Sequence, residues 1–333
     1  MNNVPLSPSR PWQPTATIAS LKARATLLAD IRAFFAARDV FEVETPQACR
    51  TGVTAPYLDN FTTKYTGPLA PQGLLLYLQT SPEYAMKRLL AADSGCIYQL
   101  AKVFRDGEAG RWHNPEFTML EWYRVGFDHH QLMDEVDALV QHTLKTNSAK
   151  RMSYKAMFEH YLDIDPYHTS VADLKKHAEH AQLPYPQSMS SEQRDEWLQL
   201  LMTHLIEPQL GFDNTPVFID DFPASQASLA RMRRVEDYAV GERFEIYVNG
   251  VELANGFHEL TDAQEQRQRF MADNEQRQKM GLPVVAIDED LLAALSHGLP
   301  ACAGVALGVD RLFMLQQGFD HIEQAISFPL LRS

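Results

Sequence analysis

The sequence predicts an α+β fold built mainly on antiparallel sheet with flanking helices. Three observations carry this. In residues 20–38, Leu21, Leu28, Ile31, Phe34 and Phe35 recur at three-to-four spacing, the period of an amphipathic helix. Asn249-Gly250 stands between two runs of alternating apolar residues, the signature of a two-residue hairpin. Residues 97–104 and 116–123 read as a further strand pair, joined by a loop containing Gly107 and Gly110.

The chain has 333 residues, 45% hydrophobic and 22% charged, an ordinary globular composition. Its length suits a loose arm over residues 1–19 and one large domain over residues 20–333 with an insertion at about 146–215. A formal net charge of −13 argues against extended nucleic-acid binding, which needs a basic surface. Cys49, Cys96 and Cys302 lie far apart with no C-x-x-C pair, so reduced, buried thiols are expected. The Pro-rich first fourteen residues contain no apolar run and do not read as a signal peptide. No stretch approaches the ~20 apolar residues of a membrane span. A cytoplasmic protein is expected.

In chain order, the first helix leads into a short strand at 40–45, where Phe41 and Val43 alternate with Glu42 and Glu44 until Pro46. Residues 74–79 form a compact apolar run, expected to be a buried strand. Ser81 is the expected N-cap of a helix that has Pro82 at its first position and ends near Ala92. After the strand pair, residues 130–144 read as helix. Residues 146–215 are polar, helical over 171–181 and 192–205, and punctuated by Pro184, Pro186 and Pro208. A strand is expected at 216–220. A long polar helix spans 263–280 and is closed by Gly281 and Pro283. An apolar helix at 312–315 ends the pattern.

Two segments concentrate chemistry. Residues 104–123 read FRDGEAGRWHNPEFTMLEWY and crowd arginines, carboxylates, a His-Asn pair and aromatics together. A buried strand tolerates such charges only when they are paired or bound. The mixture suits a site that stacks a flat ring and neutralises phosphate. In the hairpin, Asn249-Gly250 sets Val248 against Val251 and Tyr247 against Glu252. Glu245 then shares a face with Glu252, on a diagonal of roughly 7–8 Å between α-carbons. Phe244, Ile246, Val248, Val251 and Leu253 take the opposite, buried face. Two neighbouring carboxylates suit a hard cation such as Mg²⁺; the alternative is a solvated hairpin face. The segment GVALGVDR at 304–311 would let backbone approach a ligand closely at its glycines, with Arg311 opening the last helix.

Together these segments resemble the ordered signature motifs of class II aminoacyl-tRNA synthetases, most closely the lysyl branch. The helix and strand ending in VETP resemble the first motif, residues 104–123 the second, and GVALGVDRL the third. ELANGFHELTD is similar to the lysyl enzymes' amino-acid pocket. Only about twenty residues precede the first motif, fewer than an anticodon-binding domain needs. A free-standing lysyl-type core resembles the elongation factor P–(R)-β-lysine ligases, and FHELTD, FPASQASLA and WYR are similar to that family. The resemblance implies ATP-dependent activation of (R)-β-lysine as an adenylate and its transfer to a lysine side chain of elongation factor P. It also implies Mg²⁺ and a homodimer formed through the first motif; tRNA and membranes are not expected partners.

Residue roles follow from the resemblance. Arg105 is the α-phosphate and carboxylate ligand, and Phe117 the ring stacked on adenine. Arg311 is the γ-phosphate ligand. Glu245 and Glu252 are the magnesium carboxylates. Asp106, Glu108, His113, Asn114, Leu253 and Gly308 complete the ATP site, with a loop cap as the other reading of Asn114. Glu83, Glu121 and Glu259 would receive the two amines of the substrate, helped by Ser81, Pro82, Tyr123, Asn255, Phe257 and Ala306. A structural salt bridge is the other reading of Glu121. Cys96, Trp112 and His129-His130 are read as structural.

The chain departs from the synthetases in three places. A carboxylate expected two residues after Arg105 stands one later, at Glu108. Trp112 replaces an arginine before His-Asn, with Arg111 one residue earlier. Ala306 stands where α-lysine enzymes carry Gly. Its methyl group is expected to disfavour α-lysine, since overpacking a tight pocket costs about 1–3 kcal/mol. Two other functions stay open on the sequence: a minimal enzyme charging tRNA or a tRNA-like acceptor, and a catalytically silent regulatory subunit.

Overall fold

The computed structural model describes residues 12–186, 189 and 194–333. Residues 1–11 of the expected arm, and the first two residues of the helix expected over 192–205, lie outside the described residues. The strands are β1 (Phe41–Glu42), β2 (Ala48–Cys49), β3 (Thr62–Tyr65), β4 (Leu74–Leu78), β5 (Ile97–Phe104) and β6 (Glu116–Val125). They continue with β7 (Lys150–Ser153), β8 (Val217–Pro223), β9 (Met232–Val235), β10 (Tyr238–Val248), β11 (Val251–His258) and β12 (Cys302–Gly308). The helices are α1 (Ile18–Ala36), α2 (Glu83–Ala91), α3 (His129–Leu144), α4 (Tyr154–Leu162), α5 (Val171–His180), α6 (Arg194–Leu201), α7 (Ala263–Lys279), α8 (Glu289–Gly298) and α9 (Val309–Gln317).

The main sheet runs β1-β5-β6-β12-β11-β10-β8-β7, with β9 also paired to β10. Its ladders are antiparallel except β1 with β5 and β7 with β8. The two faces differ, because successive strand residues point to opposite sides. On the back, Leu120 and Trp122, Val305 and Leu307, and Phe244 and Ile246 pack against Leu27, Ile31 and Phe35 of α1, Val136 and Val140 of α3, and Leu312 and Phe313 of α9. On the front, α2 and α8 bury Met86, Leu90 and Leu291 over one end, with Phe270 of α7. Helices α4 to α6 bury Phe158, Leu174 and Trp197 against Ile219 and Tyr247 at the other end. The uncovered front between these clusters is where the site lies.

The hairpin forms in the expected register, Val248 opposite Val251 and Tyr247 opposite Glu252. A β-bulge then shifts it, so that Ile246 faces Ala254 and Glu245 faces Asn255. One extra residue on β11 reverses which side chains face front. Leu253 and Ala254 both join the core, and Asn255, not Ala254, follows Glu252 onto the front. Without this bulge the front face would lose Asn255, Phe257 and Glu259 together.

Three elements differ from expectation. Residues 74–79 are not a buried strand: β4 lies in a separate three-stranded sheet, β2-β4-β3, with Leu74 37% and Leu75 51% exposed. Apolarity alone did not distinguish a covered strand from one with no partner above it. The strand at 40–45 shortens to β1, because only Phe41 and Glu42 form ladder pairs, with Ile97 and Tyr98. Pro82 is the N-cap of α2 and Ser81 precedes it, although the Ser81 hydroxyl still accepts the Glu83 N–H at 3.0 Å.

Gly256 sits where neighbouring strands leave no room for a side chain. A Cβ there would lie 2.3 Å from Phe244 Cζ and 3.0 Å from the Gly304 carbonyl oxygen. Gly256→Ala is therefore expected to lose roughly 1–3 kcal/mol by overpacking, measured as a lowered urea midpoint at unchanged slope; an unchanged midpoint would contradict the contact.

Candidate active site

The front face opens into a cavity of about 1500 Å³. Its floor is β6, β12 and β11. Its walls are the loop at 53–58, helices α6 and α7, and the connection between β5 and β6. Of the expected residues, Ser81, Glu83, Arg105, Glu108, His113, Asn114, Phe117, Glu121, Tyr123, Glu252, Leu253, Asn255, Phe257, Glu259, Ala306, Gly308 and Arg311 line it. Pro82, Asp106 and Glu245 are not among its lining residues. Pro82 is taken up capping α2. Asp106 points outward on an exposed turn, and its carboxylate accepts the Gly107 N–H.

The first group is built for anions and a ring. The Arg105 guanidinium sits 5.2 Å from the centre of the Phe117 ring, so a cation and an aromatic face meet at one place. Glu108 lies 3.6 Å from Arg105 Nη1. The carboxylate that is displaced by one residue in the sequence thus still reaches the cavity and holds this arginine in reserve. Arg311 donates to the Glu252 backbone carbonyl at 2.8 Å and also contacts His113 Nε2. It stands in the first turn of α9, which is fixed by a buried tie: Asp310 pairs with Arg24 at 2.7 Å and accepts the Thr118 N–H at 2.6 Å. The sequence reading gave Asp310 no role.

Two residues of this segment serve the scaffold. Asn114 is buried, donates to the Glu116 carbonyl at 2.7 Å and accepts the Leu330 N–H at 3.1 Å. These contacts fit the loop-cap reading, and they leave one amide hydrogen and one oxygen lone pair on a residue that lines the cavity. Arg111 donates to the Asp320 carbonyl at 2.6 Å and packs on Trp112. It ties the loop to the C-terminal segment.

The second group is built for cations. Glu121 is 2% exposed. It accepts from the Ser81 hydroxyl at 2.7 Å and the Tyr123 hydroxyl at 2.5 Å. These partners are hydroxyls, so the salt bridge weighed for Glu121 is not what holds it. Burial and the neighbouring Glu83 push its carboxyl up to about 8. Glu259, 1% exposed, is pushed up to about 7 by burial, with Lys87 opposing.

Lys87 is the residue the sequence reading missed. It is 1% exposed and lies 2.6 Å from Glu259 and 2.7 Å from Glu83. Burial works to lower its pKa, but the two carboxylates outweigh burial and hold it raised. Its signal was available: Glu83 and Lys87 are four apart in α2, so they share a helix face. Gly304 also went unassigned. A Cβ there would lie 2.3 Å from the Tyr123 ring and 2.4 Å from Glu259 Oε1, so a larger residue would push both out of the pocket floor. Ala306 pairs with Glu121 on β6 and Asn255 on β11, which puts its methyl group between these two side chains.

Glu245 and Glu252 share the front face as the register required, but in different settings. Glu252 is half-buried on the cavity wall. Glu245 is 7% exposed and engaged by Arg243 and by the Tyr247 hydroxyl. Burial raises its pKa, Arg243 opposes, and Glu252 adds to the rise. Two oxygen donors that repel one another suit Mg²⁺, which takes one or two carboxylates and keeps its other positions for water and phosphate.

The buried carboxyls give a pH signature. A carboxyl raised on folding favours the folded state below its unfolded pKa, and that advantage is lost as pH rises through the folded value. With Glu121 raised from 4.5 to about 8, stability of the ligand-free protein is expected to fall across that interval. Glu121→Gln is expected to flatten the fall, read from urea midpoints measured against pH; an unchanged slope would contradict the placement of Glu121.

Comparison with known proteins agrees with this geometry. Residues 13–332 match the family described as tRNA synthetases class II (D, K and N). An elongation factor P–(R)-beta-lysine ligase of Vibrio cholerae is 54% identical over 322 residues, 97% of this chain and 98% of its own. The protein of that name from Yersinia enterocolitica is 53% identical over 329 residues, 98% and 100% of the two chains. The one from Proteus mirabilis is 54% identical over 323 residues, 97% and 98%. The three-motif site on an antiparallel floor, together with this match along nearly the whole chain, places the protein: it belongs to the class II tRNA synthetase family, and within it to the elongation factor P–(R)-beta-lysine ligases.

Proposed function

We propose that this chain uses ATP to activate (R)-β-lysine as its adenylate and transfers the β-lysyl group to a lysine side chain of elongation factor P. The observation that carries this reading is one cavity holding two opposed chemistries. Arg105, Phe117 and Arg311 stand at one end, and three carboxylates around the single cation Lys87 at the other. The relatives' names supply the acceptor.

In the first step a carboxylate oxygen of β-lysine attacks the α-phosphorus in line, the oxygen–phosphorus bond forms, and the bond to pyrophosphate breaks. Such a step depends on positioning and charge neutralisation. Arg105 supplies a planar fork that can hold the α-phosphate and the carboxylate together, which a lysine could not. Phe117 offers a face to the adenine, and Arg311 meets the terminal phosphate. His113, Glu108 and Gly308 border the nucleotide. Asp106 and Pro82 enter this reading only through the backbone they shape. Glu245 and Glu252 would hold a Mg²⁺ ion, which would supply neutralisation of phosphate charge. Arg243, now on Glu245, would yield part of that carboxylate. Glu83, Glu121 and Glu259 receive the two ammonium groups. In the second step the acceptor amine attacks the acyl carbon, the amide bond forms, and AMP leaves.

Three further readings belong with this function. Exposed Phe41, Leu74 and Leu75 support a homodimer in which a second copy covers them. Residues 146–215 are an insertion, and its helix α6 lines the cavity. The three cysteines are free thiols, which supports a cytoplasmic location.

The direct experiment supplies the full chain with ATP and (R)-β-lysine, together with elongation factor P or total tRNA. A mass increase of one β-lysyl group on an elongation factor P lysine is expected. Charging of tRNA with the protein acceptor unmodified would overturn the proposal. Ala306→Gly is expected to raise the pyrophosphate-exchange rate with α-lysine relative to β-lysine, roughly the tenfold that 1.4 kcal/mol of relieved overpacking represents; an unchanged ratio would remove Ala306 from specificity.

A further inference from the structure

The back face of the sheet carries a second cluster of ligand-type side chains, remote in chemistry from the cavity. Glu242 of β10 and His258 of β11 point to the helix side, opposite their neighbours Arg243, Phe257 and Glu259, which face front. His129 opens α3 above them. Each of the three offers one ligand atom, and these atoms lie within 4.8 Å of one another. His258 Nδ1 is 2.7 Å from Glu242 Oε2. The His129 and His258 rings are inclined by only 22°, with centres 6.2 Å apart.

The second observation concerns His129 alone. It is 3% exposed, and among the described residues neither of its ring nitrogens has a hydrogen-bond partner. An imidazole always presents a donor and an acceptor, or two donors. Burying both without partners is unfavourable, because each gives up water and gains nothing. The neighbouring His130 does not relieve this: it is exposed, its ring centre 4.0 Å away, and it faces Asp220 at 3.9 Å. A free nitrogen aimed at a His–Glu pair is what a metal ligand looks like before the metal arrives.

We propose that His129, Glu242 and His258 form a second metal site, for a transition-metal dication of the zinc type. Two imidazoles and one carboxylate are a nitrogen-rich donor set suited to Zn²⁺, whereas Mg²⁺ prefers oxygen alone. Tetrahedral zinc bonds of about 2.0–2.2 Å require the His258–Glu242 pair, now 2.7 Å apart, to spread and the wider separations, within 4.8 Å, to close. Glu242 and His258 are both part-exposed, which gives them room to do so. The solvent side leaves the fourth position to water. Binding replaces the proton between His258 Nδ1 and Glu242, which leaves to solvent.

Two arginines stand nearby. Arg231 Nη1 is 3.4 Å from His258 Nε2, and Arg233 Nε is 3.7 Å from Glu242 Oε1. In the metal-bound form His258 Nε2 carries the proton, so Arg231, an exposed side chain, turns outward. Arg233 already has Asp221 as its closer partner at 2.6 Å and need not move with Glu242. The consequence is mechanical. Phe257 and Glu259 flank His258 in β11 and line the front cavity. A metal on the back would pin the first turn of α3 to the strand that aims Glu259.

This site does not depend on the functional reading above, and its test reads metal and not activity. The full chain is stripped with chelator, loaded with Zn²⁺, passed over a desalting column and analysed for bound metal. A parallel sample takes Co²⁺ and is read by its visible absorption. One equivalent of Zn²⁺ per chain and the absorption of four-coordinate Co²⁺ are expected. Both are expected to be lost in His129→Ala and in His129→Phe, the latter refilling the buried space, and retained in Glu252→Gln on the front face. Equal zinc in the wild type and both His129 variants would overturn the site by placing the metal on thiols or front-face carboxylates. Failure of the wild type to retain zinc would overturn it equally.

Discussion

One buried ammonium among three carboxylates governs the front of this sheet. Glu83, Glu121 and Glu259 are brought together by three different elements, α2, β6 and the end of β11. Carboxylates are rarely buried unless paired, and Lys87 pairs with only two of them. Glu121 is left with two hydroxyl donors and a raised pKa. With all groups ionised, three negative charges and one positive leave the pocket two negative charges in excess. A substrate with two ammonium groups matches that excess. Burial softens that excess by raising the carboxyls of Glu121 and Glu259.

The rest of the molecule keeps this charged face apart from an apolar one. The back layer of α1, α3 and α9 gives the sheet its core. The Arg24–Asp310 tie carries the position of that layer to the front, since Asp310 precedes Arg311. The bulge in β11 is what allows both faces to be right. Before it, Glu252 faces front; after it, the sequence ANGFHE would otherwise present the wrong parity. Gly256 and Gly304 sit where side chains from neighbouring strands cross, and each lacks the Cβ that would block them.

Much of this was legible in the sequence where local rules decide the outcome. The limits of β5, the hairpin turn, its first two register pairs and the long α7 follow from periodicity and turn chemistry. Failures came where tertiary context decides. No local rule announces the bulge at Ile246 and Tyr247. Nothing in the apolar run at 74–78 says that Leu74 and Leu75 stay exposed. A lysine in the middle of an amphipathic helix reads as solvent-facing until the carboxylate at Glu259, 172 residues away, comes beneath it. The nearness of His129 to Glu242 and His258 was hidden for the same reason, since both are distant from it in the chain. Family resemblance supplied Asn255, Phe257 and Glu259, which strand alternation without the bulge would have turned to the back. It also proposed Asn114 for the nucleotide; Asn114 lines the cavity and bonds to backbone as well.

The central claim is that the pocket selects a substrate by two ammonium groups at once. It is tested most directly by ATP–pyrophosphate exchange with (R)-β-lysine beside two analogues, 3-aminohexanoate lacking the distal amine and 6-aminohexanoate lacking the β-amine. The account predicts exchange with (R)-β-lysine and a loss of at least tenfold in kcat/KM with each analogue, the minimum of about 1.4 kcal/mol for a buried carboxylate left without its cation. Exchange with either analogue at the rate of (R)-β-lysine would contradict it.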